Sequence, residues 1–194
     1  MQPRRFVHPT PGAASAPSRP AHRLRQFPPP TPLYLLVIFA HALATARGAD
    51  LSRATLVTPP NLSAPERKAI TMLVEEVEKR SRVRWPIAQA WPAAPTPVVA
   101  VGPASALRDF GGKFAADLAA DPGVAGAEGF RIRQRRDGDA SAVFVIGNDA
   151  RGVLFGIGRL LRELRMRPGA ISLPDELSIA TAPQYPLRGH QLGY

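Results

Sequence analysis

From residue 54 onward the apolar positions follow two alternating rhythms, one of strands and one of helices. Ala54–Thr58 is a short β-branched run stopped by Pro59 and Pro60, and it predicts a first strand. Ser63 then precedes Pro65 and Glu66. A serine there can cap a helix, a glutamate three residues on can reach back, and proline is tolerated in the first turn. The spacing predicts a helix to about Arg80. Ala69, Ile70, Leu73, Val74 and Val77 form its apolar stripe, and Glu75/Lys79 and Glu76/Arg80 sit four apart on the wet side. Val83–Ile87 predicts a second strand, and Pro86 suits a sheet edge or a strand end. After a Pro/Ala loop from Pro92 to Pro97, the uniformly apolar Val98–Val101 predicts a strand buried on both faces, closed by Gly102 and Pro103.

Residues 104–122 are mixed: Phe110, Phe114 and Leu118 recur every four residues, but Gly111 and Gly112 interrupt them. A short or broken helix near Lys113–Ala120 is expected. Glu128–Gln134 alternates apolar Phe130 and Ile132 with charged neighbours, as a half-buried strand does. Asp137-Gly138 supplies a hairpin turn, and Ser141–Ile146 is the returning strand. A helix follows from about Asp149 to Arg165, with Val153, Ile157, Leu160, Leu161 and Leu164 on one face. Its Gly152 and Gly156 lie one turn apart. Each costs about 1 kcal/mol of helix stability relative to alanine, so close approach of the helix backbone to a sheet is the expected compensation. Ala170–Leu173 makes a last short strand. The order mixes a hairpin with helical crossovers, so the expected class is α+β: a mixed sheet of five or six strands with two main helices packed on one face.

The first 49 residues differ in kind. Up to Pro32 they are rich in Pro, Ala, Ser and Arg without apolar periodicity, as a disordered leader would be. Leu33–Ala46 is then largely apolar. It is shorter than the roughly 20 residues a spanning helix needs. Preceded by arginine and followed by Ala44-Thr45-Ala46, it matches the core of a secretory signal cleaved near Ala46 or Ala49. Export is the expectation, with an uncleaved N-terminal anchor as the alternative. The leader also carries six arginines and no acid, hence +6 of the chain's formal +10. The remainder mixes signs, so the net charge does not imply a nucleic-acid surface. With no cysteine, disulfides and Cys-ligated zinc are excluded.

Candidate chemistry is sparse. Gly147-Asn148-Asp149 falls between a strand and a helix start, where backbone N–H groups can hold an anion. A phosphate-loop lysine and a Gly-x-Gly-x-x-Gly pattern are both missing, and a helix cap at Asn148 or Asp149 is the simpler expectation. His8, His22 and His41 all lie in the first 49 residues, which leaves His190 without a second histidine for a metal pair. Asp117, Asp121, Asp137, Asp139, Asp175 and Glu176 form no recognisable pair of the kind glycoside hydrolysis needs, about 5–9.5 Å apart. Arg131, Arg133, Arg135 and Arg136 give a basic hairpin arm, expected to be a solvated strand face, with a contact to acidic polysaccharide as the remoter alternative. No catalytic residue, cofactor or metal is assigned.

The order of Ser141–Ile146 strand, Gly147-Asn148-Asp149, the Arg151–Gly156 helix start, a short strand and Pro186-Leu187-Arg188-Gly189 resembles the N-terminal accessory domain of glycoside hydrolases. The nearest are the family 67 α-glucuronidases and the family 20 β-N-acetylhexosaminidases. The resemblance covers about residues 54–194. With the leader and signal read over 1–49, it implies an accessory domain over 50–182 and the start of a (β/α)8 catalytic barrel over 183–194. A barrel of about 250 residues does not fit within this chain. The domain would pack against that barrel in the parent enzyme, which would act on polysaccharide, xylan side chains being the best match. In the family 20 enzymes the arginine of the Arg-Gly pair contacts sugar hydroxyls, so Arg188 is the implied substrate-binding residue if a barrel followed. Here Leu192-Gly193 stands where that family has Leu-Asp. A stand-alone exported carbohydrate-binding module and a small hydrolase are the competing classes.

Overall fold

A computed structural model describes residues 48–121, 123–174 and 176–185. In chain order the elements are β1 (Ala49–Asp50), β2 (Thr55–Val57), α1 (Ala64–Ser81), β3 (Ile87–Ala88), β4 (Val98–Pro103), and the short helices α2 (Leu107–Phe110) and α3 (Ala115–Ala120). The hairpin β5 (Phe130–Asp137) and β6 (Ala140–Gly147), then α4 (Ala150–Glu163), a second hairpin β7 (Arg165–Arg167) and β8 (Ala170–Leu173), and β9 (Ser178–Thr181) complete the fold. Residues 1–47 of the expected leader, Pro122, Asp175 and the 186–194 segment lie outside the described residues, while Ala49, the last residue expected in the leader, is paired in β1.

The fold is α+β. Its main sheet has six strands in the order β3-β2-β4-β6-β5-β9. β3, β2, β4 and β6 run parallel, and β5 and β9 are antiparallel to their neighbours. β4 lies between β2 and β6, and its side chains alternate between two cores. Val99 and Val101 join Val143 and Val145 under α1 and α4, where Leu73, Val77, Val153, Ile157 and Leu160 complete the larger core. Val98 and Ala100 join Ala142, Phe144 and Ile146 on the opposite face, closed by Leu107, Phe110 and Leu118. That double burial is why Val98–Val101 is apolar without alternation.

The local signals are realised in recognisable form. Glu66 Oε2 accepts hydrogen bonds from both the Ser63 backbone N–H and its hydroxyl, each at 2.7 Å, closing the first turn of α1. The 137–140 turn places Gly138 at φ +59°, the first-position glycine of a type II′ hairpin. The interrupted 104–122 stretch resolves into α2, a 3₁₀ turn and α3. Gly112 sits there at φ +54°, and a Cβ on it would run into the Trp91 indole. That indole stacks on Phe144 with ring centroids 5.9 Å apart.

Three expectations need correction. Val83–Ile87 is not a strand: only Ile87–Ala88 pairs, at the sheet edge, while Trp85 is buried in the larger core and donates its Nε1–H to the Leu51 carbonyl at 2.9 Å. Filling the core outweighed the run's β propensity. Ala170–Leu173 is a strand, but it belongs to a separate three-stranded sheet, β1-β8-β7, and is not the last. β9 follows it and pairs with β5 through Phe130↔Thr181 and Ile132↔Ile179.

The glycines of α4 do what their spacing implied. A Cβ on Gly152 would overlap the Gly129 carbonyl oxygen, and one on Gly156 would lie 2.6 Å from Val145 Cγ1. Gly158 faces open space, its nearest obstacle being the mobile end of Arg162 at 3.9 Å. Alanine substitutions along this helix should therefore diverge. Gly152→Ala should destabilise by about 3 kcal/mol because backbone must move, Gly156→Ala by less, and Gly158→Ala should stabilise by up to about 1 kcal/mol. Urea denaturation of the three variants checks the ranking, and equal effects would refute the close-approach account.

Candidate functional site

The Gly147-Asn148-Asp149 segment turns from β6 into α4, and its side chains bond protein groups. Asp149 Oδ1 accepts the Gly152 N–H at 2.8 Å, capping α4, while Oδ2 accepts the Glu128 N–H at 2.7 Å. Asn148 Nδ2 donates to the carbonyls of Val124 and Gly126 at 2.7 and 2.8 Å. The motif stitches the 123–129 loop to the helix start, in agreement with the capping expectation.

The basic arm is different from its expectation. Strand alternation sends Arg131 and Arg133 to the face covered by α2 and α3, and both are buried, at 7% and 8% exposure. Arg133 grips Asp121 through Nε at 2.5 Å and Nη2 at 3.2 Å, and its Nη1 donates to the Ile179 carbonyl at 2.7 Å, tying β9 to β5. Arg135 stands 3.8 Å from the same carboxylate. Asp121, at the end of α3, is the acid that sequence reasoning left in a loop without a partner. The hydrogen bond from Arg133, aided by the charges of Arg133, Arg131 and Arg135, holds its carboxyl below the usual value, with burial opposing. The alternation of Arg131, Arg133 and Arg135 with Ile132 was the available signal. It was missed because both faces of β5 are covered.

Other acids have local partners as well. Asp137 pairs with Lys113, and Glu128 with Arg151 at 2.5 Å. Asp117, Asp139 and Glu176 are exposed. Among the described residues no cluster of three His, Asp or Glu side chains is placed to hold a metal ion. Arg188 and His190 lie outside the described residues.

A groove of about 1140 Å³ lies between α1 and α4. Met72 (46% exposed), Leu154 (38%), Ile157 and Leu161 contribute apolar surface, and Met166 of β7 lies at its margin. It also carries Glu75, Glu76, Lys79, Arg80 and Arg162, and Glu76 lies 3.9 Å from Lys79 and 3.2 Å from Arg80. Met72 and Leu154 add exposed apolar area to a groove that also carries five charged side chains. Among the described residues no helix is long and apolar enough to cross a membrane.

No protein-family model matches the chain, and no curated protein matches it. Solved structures do resemble it. A family 20 β-N-acetylhexosaminidase from Streptomyces coelicolor A3(2) aligns at 16% identity and TM-score 0.45, covering 72% of this chain and 24% of that one. BtGH115A, a family 115 4-O-methyl-α-glucuronidase with specificity for decorated arabinogalactans, aligns at 15% identity and TM-score 0.46, covering 67% and 18%. CpGH84B aligns at 13% identity and TM-score 0.46, covering 71% and 20%. The chain thus spans roughly a fifth of the length of each. At such identities its role has to be argued from its own residues.

The Arg133–Asp121 pair generates a pH prediction. A carboxyl whose folded value is depressed contributes stability that is complete above its unfolded value, near 3.9, and that is lost as pH falls through the folded value. Acidification from about pH 4 downward should therefore destabilise the domain. Asp121→Asn should lower stability at pH 7 by about 1.5–3 kcal/mol, the range for hydrogen bonds to charged groups, and flatten that acid limb. Denaturant titrations at pH 7 and pH 3 compare the two; an unchanged acid limb in the variant would remove Asp121 from the account.

Proposed function

We propose that this chain is the non-catalytic α+β accessory domain of an exported glycoside hydrolase, of the α-glucuronidase kind acting on xylan-type polysaccharide. The single observation that carries the reading is the groove between α1 and α4, where the partly exposed Met72 and Leu154 lie among charged side chains of both helices. Its occupant is the catalytic barrel of the parent enzyme. Two further features support this role. The motif that carried the family resemblance, Gly147-Asn148-Asp149 with Gly152 and Gly156, serves helix capping and helix–sheet packing. The carboxylates of Glu66, Asp121, Asp137 and Asp149 hold caps and ion pairs. Arg188 would then belong to the barrel's first strand and meet substrate only in the parent.

Two measurements test the proposal. The purified chain should not turn over aryl glycosides, including aryl glucuronides; turnover that co-purifies with the folded chain would overturn it. Met72→Lys and Leu154→Lys, both at exposed positions, should change stability by no more than about 0.5 kcal/mol while reducing binding of a hydrophobic dye. A large loss of stability would mean that these side chains support the domain's own core instead of a docking face. Saturable affinity for neutral oligosaccharides would favour a stand-alone binding module.

A further inference from the structure

On the opposite face of the sheet lies a second cavity, of about 680 Å³, beyond the carboxyl end of β4. Its position follows from the topology. The helix after β6 packs on one face and the helices after β4 on the other. The cavity opens where Ala104 and Ser105 leave the carboxyl end of β4, between α2, α3 and the Arg131 side chain of β5.

The walls of this crevice have an unusual charge balance. Ala115, Ala116 and Ala119 of α3 supply small side chains that leave room, while Ser105, Arg108 and Arg131 supply hydrogen-bond donors. None of the lining residues is acidic. Arg131 is the informative one. It is more than nine-tenths buried, yet among the described residues its guanidinium has one hydrogen bond, from Nη2 to the Leu118 carbonyl at 3.0 Å, and its Nε has no acceptor. The nearby carboxylate of Asp121 is already gripped by Arg133. Burial pulls the Arg131 guanidinium below its ordinary value, with Asp121 opposing that shift and Arg133 adding to it. A buried cation normally has a matched acceptor, because desolvating a charge without one is expensive. A core that needed only packing would place an aliphatic residue here.

We propose that this cavity binds a small oxyanion, a carboxylate or phosphate group, through the guanidinium groups of Arg108 and Arg131 with the Ser105 hydroxyl alongside. Arginine matches that chemistry because its planar fork offers paired N–H donors to two oxygens at once. Arg108 is exposed at the mouth and provides the capture charge; Arg131 forms the buried end. The α1–α4 groove lies on the other side of the sheet, so the inference does not depend on the domain's place in a larger enzyme.

The test uses the full chain and calorimetric titration at constant ionic strength with three probes: sodium glucuronate, inorganic phosphate and glucose. Glucuronate, phosphate or both should bind saturably near one per chain, and glucose should not. Binding by glucuronate alone assigns the anion to an acidic sugar, and binding by phosphate alone to a phosphate group; either supports the site. Arg108→Gln should weaken binding about tenfold or more, as loss of a charge-assisted hydrogen bond does. Ala116→Phe, at an exposed lining position, should block it by filling the space while leaving the circular dichroism spectrum unchanged. Arg131→Gln is a secondary probe, since a buried substitution can unfold the domain. Absence of saturable oxyanion binding overturns the proposal. So does binding that survives both Arg108→Gln and Ala116→Phe, or glucose binding as tightly as glucuronate.

Discussion

The structure depends on how closely the backbone of α4 approaches the sheet where it leaves β6. Gly147, Gly152 and Gly129 meet there with no side chains between them, and Asp149 locks the contact by capping the helix with one oxygen and holding the 123–129 loop with the other. The angle at which α4 crosses the sheet follows from this, and so does the placing of Val153, Ile157 and Leu160 in the larger core. A bulkier residue at Gly152 would push the helix away from β5 and β6 together. Three glycines weaken a 14-residue helix on intrinsic grounds; two of them are compensated by contact, and Gly158 is not.

The two faces of the sheet carry different chemistry because they are closed by different elements. The α1 and α4 face is closed by two long amphipathic helices whose outer edges leave a groove lined by both apolar and charged side chains. The α2 and α3 face is closed by two short helices that cover less. There β5 fills the remaining space with arginine side chains, whose long stems pack while their heads seek acceptors. Asp121 satisfies Arg133 and stands near Arg135, leaving Arg131 the least satisfied of the three. One face thus offers apolar area, the other offers positive charge in a confined space.

Much of the scaffold was legible because its elements carry strong local periodicity. α1 has its stripe and its Ser63–Glu66 start; β4 and β6 are apolar runs bounded by glycine; Asp137-Gly138 marks the hairpin; and α4 begins at Asp149. The missed short elements share one cause. Trp85, β1, β7 and β9 are short segments of two to four residues, or single residues, whose state is set by a distant partner: Leu51 for Trp85, Leu173 for Ala49, β5 for β9. Nothing within the segment Ser178–Thr181 states that an edge of β5 is waiting for it.

What the sequence determined by itself was the α+β class, the two long helices and their apolar faces, and the capping use of Gly147-Asn148-Asp149. Each rests on residues within a few positions of one another, where spacing alone decides which side chains share a face. Only the tertiary structure decided that Arg131 and Arg133 are buried. It also brought Asp121 onto Arg133 and left a groove on one side of the sheet and a charged cavity on the other. Those outcomes turn on which face of β5 each residue occupies and on what covers that face. Burial is a property of the assembled layers, and a strand of alternating arginines reads the same whether water or a helix lies above it.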